Sequence, residues 1–137
     1  MKIRQPKRNK GKRFKIHEDA KRSSQQERPL FSFEFLNHDA RYALSRCSSE
    51  EKSRFIEKIV NLSQLTWAEI QSSNRHKVGC EKIPAKKIRA KLHPEADSKR
   101  DYLAFRCIGK APMVGYRVGR IFYVLWIDRD FTLYKHS

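Results

Sequence analysis

The apolar residues in the last third of the chain fall into short runs of strand length. The runs span 102–108, 112–118, 121–127 and 131–136. Gly109 and Gly119 stand between the first three runs, where a tight hairpin turn favours a residue that tolerates positive φ. The third run is apolar on both faces, as in a central strand. This pattern predicts an antiparallel meander of four strands, the last of them short.

A further strand is predicted earlier in the chain, at 30–36, where the sequence reads LFSFEFL. Side chains alternate between the two faces of a strand, so Phe31, Phe33 and Phe35 are expected to share one face. Such alternation is typical of a half-buried strand.

Two capping-box patterns predict where the helices begin. Ser48 is followed three residues later by Glu51, and Thr66 by Glu69. A broad apolar stripe at helical spacing follows the first box, and a short apolar segment follows the second. The order of strand, helices and then a run of strands predicts an α+β fold. We expect an N-terminal strand and two to three helices packed on a small antiparallel sheet.

Charge divides the chain into two zones. Residues 1–28 contain eleven Lys and Arg against three Asp and Glu, so they carry +8, half of the formal net charge of +16. This segment has too few large apolar residues to offset its ordering entropy. We therefore predict a basic, flexible arm at 1–28 and a single α+β domain at 29–137.

The basic composition favours a polyanionic partner, which could be nucleic acid, an anionic membrane surface or an acidic protein. The longest apolar run, at 121–127, is too short to span a bilayer. Cys47, Cys80 and Cys107 are odd in number and widely spaced, which favours buried free thiols in a reducing cytosol. We expect a cytoplasmic protein that is not bound to a membrane.

The candidate chemistry uses neither a metal nor a cofactor. No histidines or cysteines have the spacing of zinc ligands, and no glycine-rich phosphate loop precedes a helix. Asp128 and Asp130 are interpreted as turn formers. The candidate catalytic side chains are Arg106, Arg117, Tyr134, His136, His76 and Lys77.

RNA is the substrate class that suits such a set, because its 2′-hydroxyl is an internal nucleophile. A histidine or a tyrosine can move the protons, and arginine and lysine can stabilise the charge that develops on the phosphate. Further cations are expected to bind the RNA backbone. They are Lys82, Lys86, Lys87, Arg89, Arg120 and Lys135.

Other interpretations of these residues stay open. Arg106 and Arg117 could pair with acidic residues across the sheet, and Tyr134 could lie at the edge of the core. A non-catalytic RNA- or ribosome-binding protein, or an adaptor tethered by the basic arm, is the main alternative to an enzyme. It would stack single-stranded bases on aromatic side chains. The candidates are Tyr102, Phe105, Tyr116 and Tyr123.

The order of elements over about 30–137 resembles the RelE/ParE-like superfamily of small bacterial toxins, and within it the HigB- and RelE-type ribonuclease branch. The resemblance is carried by LFSFEFL, the helical pair, DYLAFRC, MVGYRVG, IFYVLWID and the closing TLYKH. The GYR at 115–117 is similar to the tyrosine-arginine segment of a central strand in that family. The end that carries Tyr134 and His136 looks like the family's catalytic C-terminal edge.

The resemblance implies that Arg106 and Arg117 bind or stabilise the scissile phosphate. It also implies that Tyr134 or His136 acts as general base or acid, opposite the loop at 76–77. The implied protein is a small endoribonuclease toxin that cleaves mRNA without a metal, often on the ribosome, and is held inactive by an acidic antitoxin. Some branches of the superfamily act on DNA gyrase, so a gyrase-directed toxin of the same fold is an alternative.

Overall fold

The computed structural model describes residues 23–72, 80–92 and 100–136. This part of the chain contains two α-helices and a sheet of five strands. In chain order they are β1 (Leu30–Ser32), α1 (Ser49–Ser63), α2 (Trp67–Ser72), β2 (Cys80–Pro84), β3 (Asp101–Ile108), β4 (Ala111–Val118) and β5 (Ile121–Ile127). The predicted α+β class is therefore confirmed. Among the described residues, no helix is long and apolar enough to cross a membrane.

The sheet is mixed, with the strand order β1-β5-β4-β3-β2. The pairs β2–β3, β3–β4 and β4–β5 are antiparallel. β1 instead pairs with β5 in parallel, with Leu30 opposite Ile121. The prediction of a purely antiparallel sheet is wrong at this edge. A parallel pair needs a long crossover connection, and here the chain between β1 and β5 includes both helices and three strands.

The strand predicted at 30–36 ends after Ser32. The Ser32 hydroxyl accepts a hydrogen bond from the Glu34 backbone N–H, and the Leu36 N–H donates to the Phe33 carbonyl, so the chain turns. Phe33 consequently packs against Phe55 on the helix side of the sheet, whereas Phe35 stacks on Tyr123 on the other side. The expectation that the three phenylalanines share one face is wrong for Phe35.

Each face of the sheet carries its own core. The face covered by α1 and α2, here called the helix face, buries Phe55, Leu62, Trp67, Phe105, Met113 and Phe122. The opposite face, here called the loop face, is covered by irregular segments of the chain. It buries Tyr42, Tyr102, Val114, Trp126, Leu133 and Tyr134. The second layer is therefore made of loops and the C-terminal residues.

Both predicted capping boxes are present. The Glu51 N–H donates to the Ser48 hydroxyl at 3.1 Å, and the Ser48 N–H donates to the Glu51 carboxylate at 2.8 Å. Thr66 and Glu69 form the same reciprocal pair at the start of α2, at 2.9 and 3.1 Å. These bonds satisfy backbone donors that a helix leaves unpaired at its N-terminus.

The packed part of the chain begins before the predicted domain boundary at residue 29. Residues 23–28 include a 3₁₀ turn at Ser24–Gln26 and contact the domain. The backbone N–H of Trp67 donates to the Glu27 carbonyl at 2.9 Å, and the Nε of the Arg120 side chain donates to the Arg28 carbonyl at 2.9 Å. Residues 1–22, which make up most of the predicted arm, lie outside the described residues.

Replacing Ser48 by Ala should lower the free energy of unfolding by about 1 kcal/mol, because the hydroxyl that caps α1 is lost. Denaturant unfolding followed by circular dichroism measures the change. Ser53→Ala is the matched control, since Ser53 is exposed within the same helix. It should cause no loss, because alanine has the higher helix propensity. Equal destabilisation by both substitutions would contradict the capping assignment.

Candidate functional site

The candidate catalytic residues do not all lie on one side of the sheet. Arg106 shares the loop face with Tyr102 and Ala104, because alternate residues of β3 point to the same side. Tyr134 is buried on that face as well. Arg117 lies on the helix face, with its guanidinium carbon 4.3 Å from the centroid of the Trp67 ring. His76 and Lys77 lie outside the described residues.

Arg117 is engaged by the fold itself. Its Nε donates to the Gly119 carbonyl at 2.6 Å and its Nη2 donates to the Ser24 hydroxyl at 2.8 Å. Partial burial beside Trp67 lowers the pKa of Arg117. The side chain thus joins the N-terminal segment to α2 and β4. The expectation that Arg106 and Arg117 face one phosphate is not met by this geometry.

A fully buried carboxylate, Asp128, organises the end of the chain. Its Oδ1 accepts from the Thr132 N–H at 2.8 Å, and its Oδ2 accepts from the Leu133 N–H at 3.1 Å. The same Oδ2 lies 3.0 Å from Nε2 of His136. Because the Thr132 and Leu133 N–H groups bind Asp128, the segment 131–136 forms a loop, and the short final strand predicted there is wrong.

His136 is held in a defined orientation. A carboxylate at 3.0 Å requires Nε2 to carry a proton, so in the neutral ring Nδ1 is the proton acceptor. The ring of Tyr134 stacks on the imidazole with centroids 4.0 Å apart, and Phe131 contacts it edge-on at 5.0 Å. The side chain of His136 is 23% exposed, which leaves part of the ring accessible. A base with a fixed tautomer and partial access is suited to proton transfer.

Phe131 adopts a backbone conformation that contributes to this arrangement. Its φ is 59°, in the left-handed region that a bulky residue rarely occupies. This conformation costs roughly 1–2 kcal/mol for a non-glycine residue. The residue is 43% exposed, yet its ring contacts His136. Strained residues of this kind are concentrated at functional sites.

Tyr134 is kept in its protonated form. Burial raises the pKa of Tyr134 to about 12, and the nearby carboxylates of Glu81 and Asp128 act in the same direction, while Arg106 opposes them. The phenol is therefore a hydrogen-bond donor at neutral pH and a poor base.

We call the group formed by Arg106, Asp128, Tyr134 and His136 the C-terminal cluster.

The predicted RNA-binding cations are also divided between the faces. Lys86, Lys87, Arg89 and Lys135 are exposed, and the Arg89 N–H donates to the Leu133 carbonyl at 2.8 Å, so this basic segment borders the C-terminal cluster. Lys82 lies on the other face. Its neighbour Ile83 packs in the core of the loop face, so Lys82 points to the helix face, as Cys80 does two residues earlier in β2.

Arg120 lies apart from that basic border. Besides its bond to Arg28, it is 3.6 Å from the Glu27 carboxylate. Arg120 therefore binds the N-terminal segment, as Arg117 does.

The three cysteines are free thiols, with Cys47 and Cys107 buried and Cys80 half-buried. Burial raises the pKa of Cys80 to about 11 and that of Cys107 to about 12, so neither is an activated nucleophile. Within the ranges that the structure describes, no group of His, Cys, Asp and Glu residues is arranged to hold a metal ion.

No family model matches this chain, and no curated protein or solved structure matches it either. The resemblance to the RelE/ParE-like superfamily therefore rests on the sequence features alone and stays a prediction.

Asp128→Asn should lower the free energy of unfolding by about 1–3 kcal/mol, because an amide cannot accept all the hydrogen bonds that the carboxylate accepts, and a buried donor is left unpaired. Asp130→Asn is the control two residues away. Asp130 pairs with Arg46 and Arg129 at 3.0 Å, but it is 30% exposed, so its loss should cost less than about 1 kcal/mol. Equal effects in denaturant unfolding would contradict the role assigned to Asp128.

Proposed function

We propose that the protein is a small endoribonuclease of the RelE type that cleaves RNA through the 2′-hydroxyl of the substrate. The observation that carries this proposal is the contact between His136 and the fully buried Asp128, next to Tyr134. A carboxylate that orients a histidine is a recurrent arrangement for general base catalysis. Arg106 supplies positive charge on the same face of the sheet.

Each side chain of the C-terminal cluster takes a distinct role in the proposed reaction. His136 accepts the proton of the 2′-hydroxyl at Nδ1, and the 2′-oxygen forms a bond to the adjacent phosphorus. The bond from phosphorus to the 5′-oxygen breaks, and the Tyr134 phenol donates a proton to that oxygen. The proton on His136 returns to Tyr134 through solvent. The products are a 2′,3′-cyclic phosphate and a 5′-hydroxyl.

Electrostatics support the roles of Arg106 and Asp128. A guanidinium can stabilise the extra negative charge of the pentacoordinate phosphorane, and a preorganised cation does so without further rearrangement. Asp128 stabilises the imidazolium that forms when His136 takes the proton, because the two groups are 3.0 Å apart. This chemistry needs no metal, because the nucleophile belongs to the substrate.

The charge of the chain supports a polyanionic substrate and an acidic partner. A formal net charge of +16 attracts RNA without sequence preference, and the attraction weakens as salt is raised. We infer that mRNA, free or on the ribosome, is the substrate, and that an acidic antitoxin protein holds the enzyme inactive. Both partners belong to the cytoplasm, which the free thiols also favour.

The non-catalytic alternative has less support from the geometry. Tyr102, Phe105 and Tyr116 are buried, with at most 3% exposure, so bases cannot stack on them without unfolding the core. Tyr123 is half-buried. A base-stacking surface made of these four rings is therefore not present.

His136→Asn should slow RNA cleavage by about a hundred- to ten-thousand-fold, the usual contribution of a general acid or base. The measurement follows the length of a long RNA with and without EDTA, and with ribosomes as a third condition. Circular dichroism checks that the variant is folded.

The two arginines provide a matched comparison for the same assay. Arg106→Gln should slow cleavage without changing the melting temperature. Arg117→Gln should lower the melting temperature, because it removes contacts to Ser24 and Trp67, while folded molecules keep their rate. A loss of cleavage confined to Arg117→Gln would contradict the assigned site. Intact RNA in every condition, together with a salt-sensitive gel shift, would support the binding-protein alternative.

A further inference from the structure

Phe131 presents an exposed aromatic ring beside the proposed general base. The residue is 43% exposed, and its ring centroid lies 5.0 Å from that of His136, with the two ring planes nearly perpendicular. Tyr134 stacks on the same imidazole with centroids 4.0 Å apart. His136 therefore has one aromatic neighbour that is buried in the core of the loop face and one that is open to solvent.

The turn around Asp128 does not by itself require a phenylalanine at position 131. The Phe131 N–H donates to the Asp128 carbonyl at 3.3 Å, and the next two backbone N–H groups, of Thr132 and Leu133, donate to the Asp128 carboxylate. Residue 131 has a φ of 59° in this turn. Glycine adopts such a φ without steric cost, so glycine would serve the turn better than phenylalanine does.

The hydrophobic core does not require this side chain either. Phe55, Phe105 and Phe122 are core residues and are at most 1% exposed, whereas Phe131 leaves much of its surface in water. A phenylalanine at position 131 thus has an unfavourable backbone conformation and buries only part of its ring. Its role is therefore expected at the surface, where the ring adjoins His136.

The charges near Phe131 suit a single strand of nucleic acid. Lys135 is exposed, and Arg106 belongs to the C-terminal cluster that Phe131 adjoins. Asp130, the acid next to Phe131 in sequence, is paired with two arginines at 3.0 Å, which offsets its repulsion of a phosphate. An exposed aromatic ring beside cations is a combination that binds single strands, because bases stack on the ring while phosphates contact the cations.

We propose that Phe131 stacks one unpaired base of the RNA, and that this base belongs to the nucleotide on the 5′ side of the cleaved bond. His136 takes the proton of that nucleotide's 2′-hydroxyl, and the base is attached to C1′, the carbon next to C2′. A ribose held at His136 therefore brings its own base to the adjacent ring of Phe131. The choice of RNA and of this nucleotide rests on the proposed function. Because stacking strength sets such preferences, Phe131 should favour a purine over a pyrimidine.

A 2′-deoxy strand with a single ribonucleotide tests this assignment, because it can be cleaved only after that ribose. Wild-type protein should cleave it about fivefold faster or more, as kcat/KM, when the ribose carries adenine than when C1′ carries only hydrogen, the low end of one base–aromatic stack. Phe131→Leu keeps a bulky side chain at the same φ but removes the ring. It should lower the rate with adenine to near the rate without a base, and leave the latter unchanged. Phe131→Trp should retain the difference.

Binding of the base can be measured without cleavage. A fluorescein-labelled hexamer of 2′-deoxyadenosine has no 2′-hydroxyl, and fluorescence anisotropy reports its affinity. Phe131→Leu should weaken binding of this hexamer about fivefold or more, but should not change binding of the same sugar–phosphate backbone without bases. Phe33→Leu is the matched control, because Phe33 is also 43% exposed but packs on the helix face, and it should change neither affinity. Phe131→Gly should lose the stack while the melting temperature is kept, since glycine adopts the turn freely.

Two results would overturn the inference. Equal slowing of the strands with and without the base by Phe131→Leu shows that the ring only positions His136. No change in cleavage or in binding shows that the exposed ring does not contact RNA and serves another purpose, such as contact with a protein. The proposed ribonuclease is tested separately, because His136→Asn should slow cleavage while keeping base-dependent binding. Cleavage that ignores the base removes the stacking site alone, and base-dependent binding without cleavage by the wild type removes the ribonuclease alone.

Discussion

The buried carboxylate of Asp128 is the interaction on which the end of this structure depends. A charged group out of contact with water costs several kcal/mol unless hydrogen bonds and a partner charge offset it. Here Thr132, Leu133 and His136 supply three contacts within 3.1 Å. The same contacts hold the C-terminal residues on the loop face, where Leu133 and Tyr134 complete the core. The contacts of Asp128 therefore both stabilise the C-terminal part of the fold and set the geometry of the candidate site.

The division of the arginines between the two faces has a local cause in β3. Ile108 pairs with Ala111 across the turn, but Arg106 pairs with Pro112, so Cys107 is an extra residue on β3. Without this extra residue, the β3–β4 pairing that begins with Ile108 and Ala111 would place Arg117 opposite Tyr102, on the same face as Arg106. A shift of one residue reverses the faces of one strand relative to the other. The prediction named both arginines, but a bulge cannot be seen in the hydrophobic pattern.

The elements that local chemistry determines could be predicted. The capping boxes at Ser48 and Thr66 fixed both helix starts, and glycine turns located β3, β4 and β5 within one residue. The parallel pairing of β1 could not be predicted, because it depends on contacts far apart in sequence. Asp128 was missed as a site residue because an aspartate after a strand usually forms a turn. Its position directly after the apolar strand at 121–127 was the available sign that it would be buried.

The ends of the RNA fragments test the central claim most directly. An RNA cleaved in the presence of EDTA should give products with a 2′,3′-cyclic phosphate and a 5′-hydroxyl, identified by mass spectrometry. A single 2′-deoxy nucleotide at the cleaved position should block the reaction there, because the nucleophile is missing. Fragments with a 3′-hydroxyl and a 5′-phosphate, or continued cleavage at the 2′-deoxy position, would contradict the account.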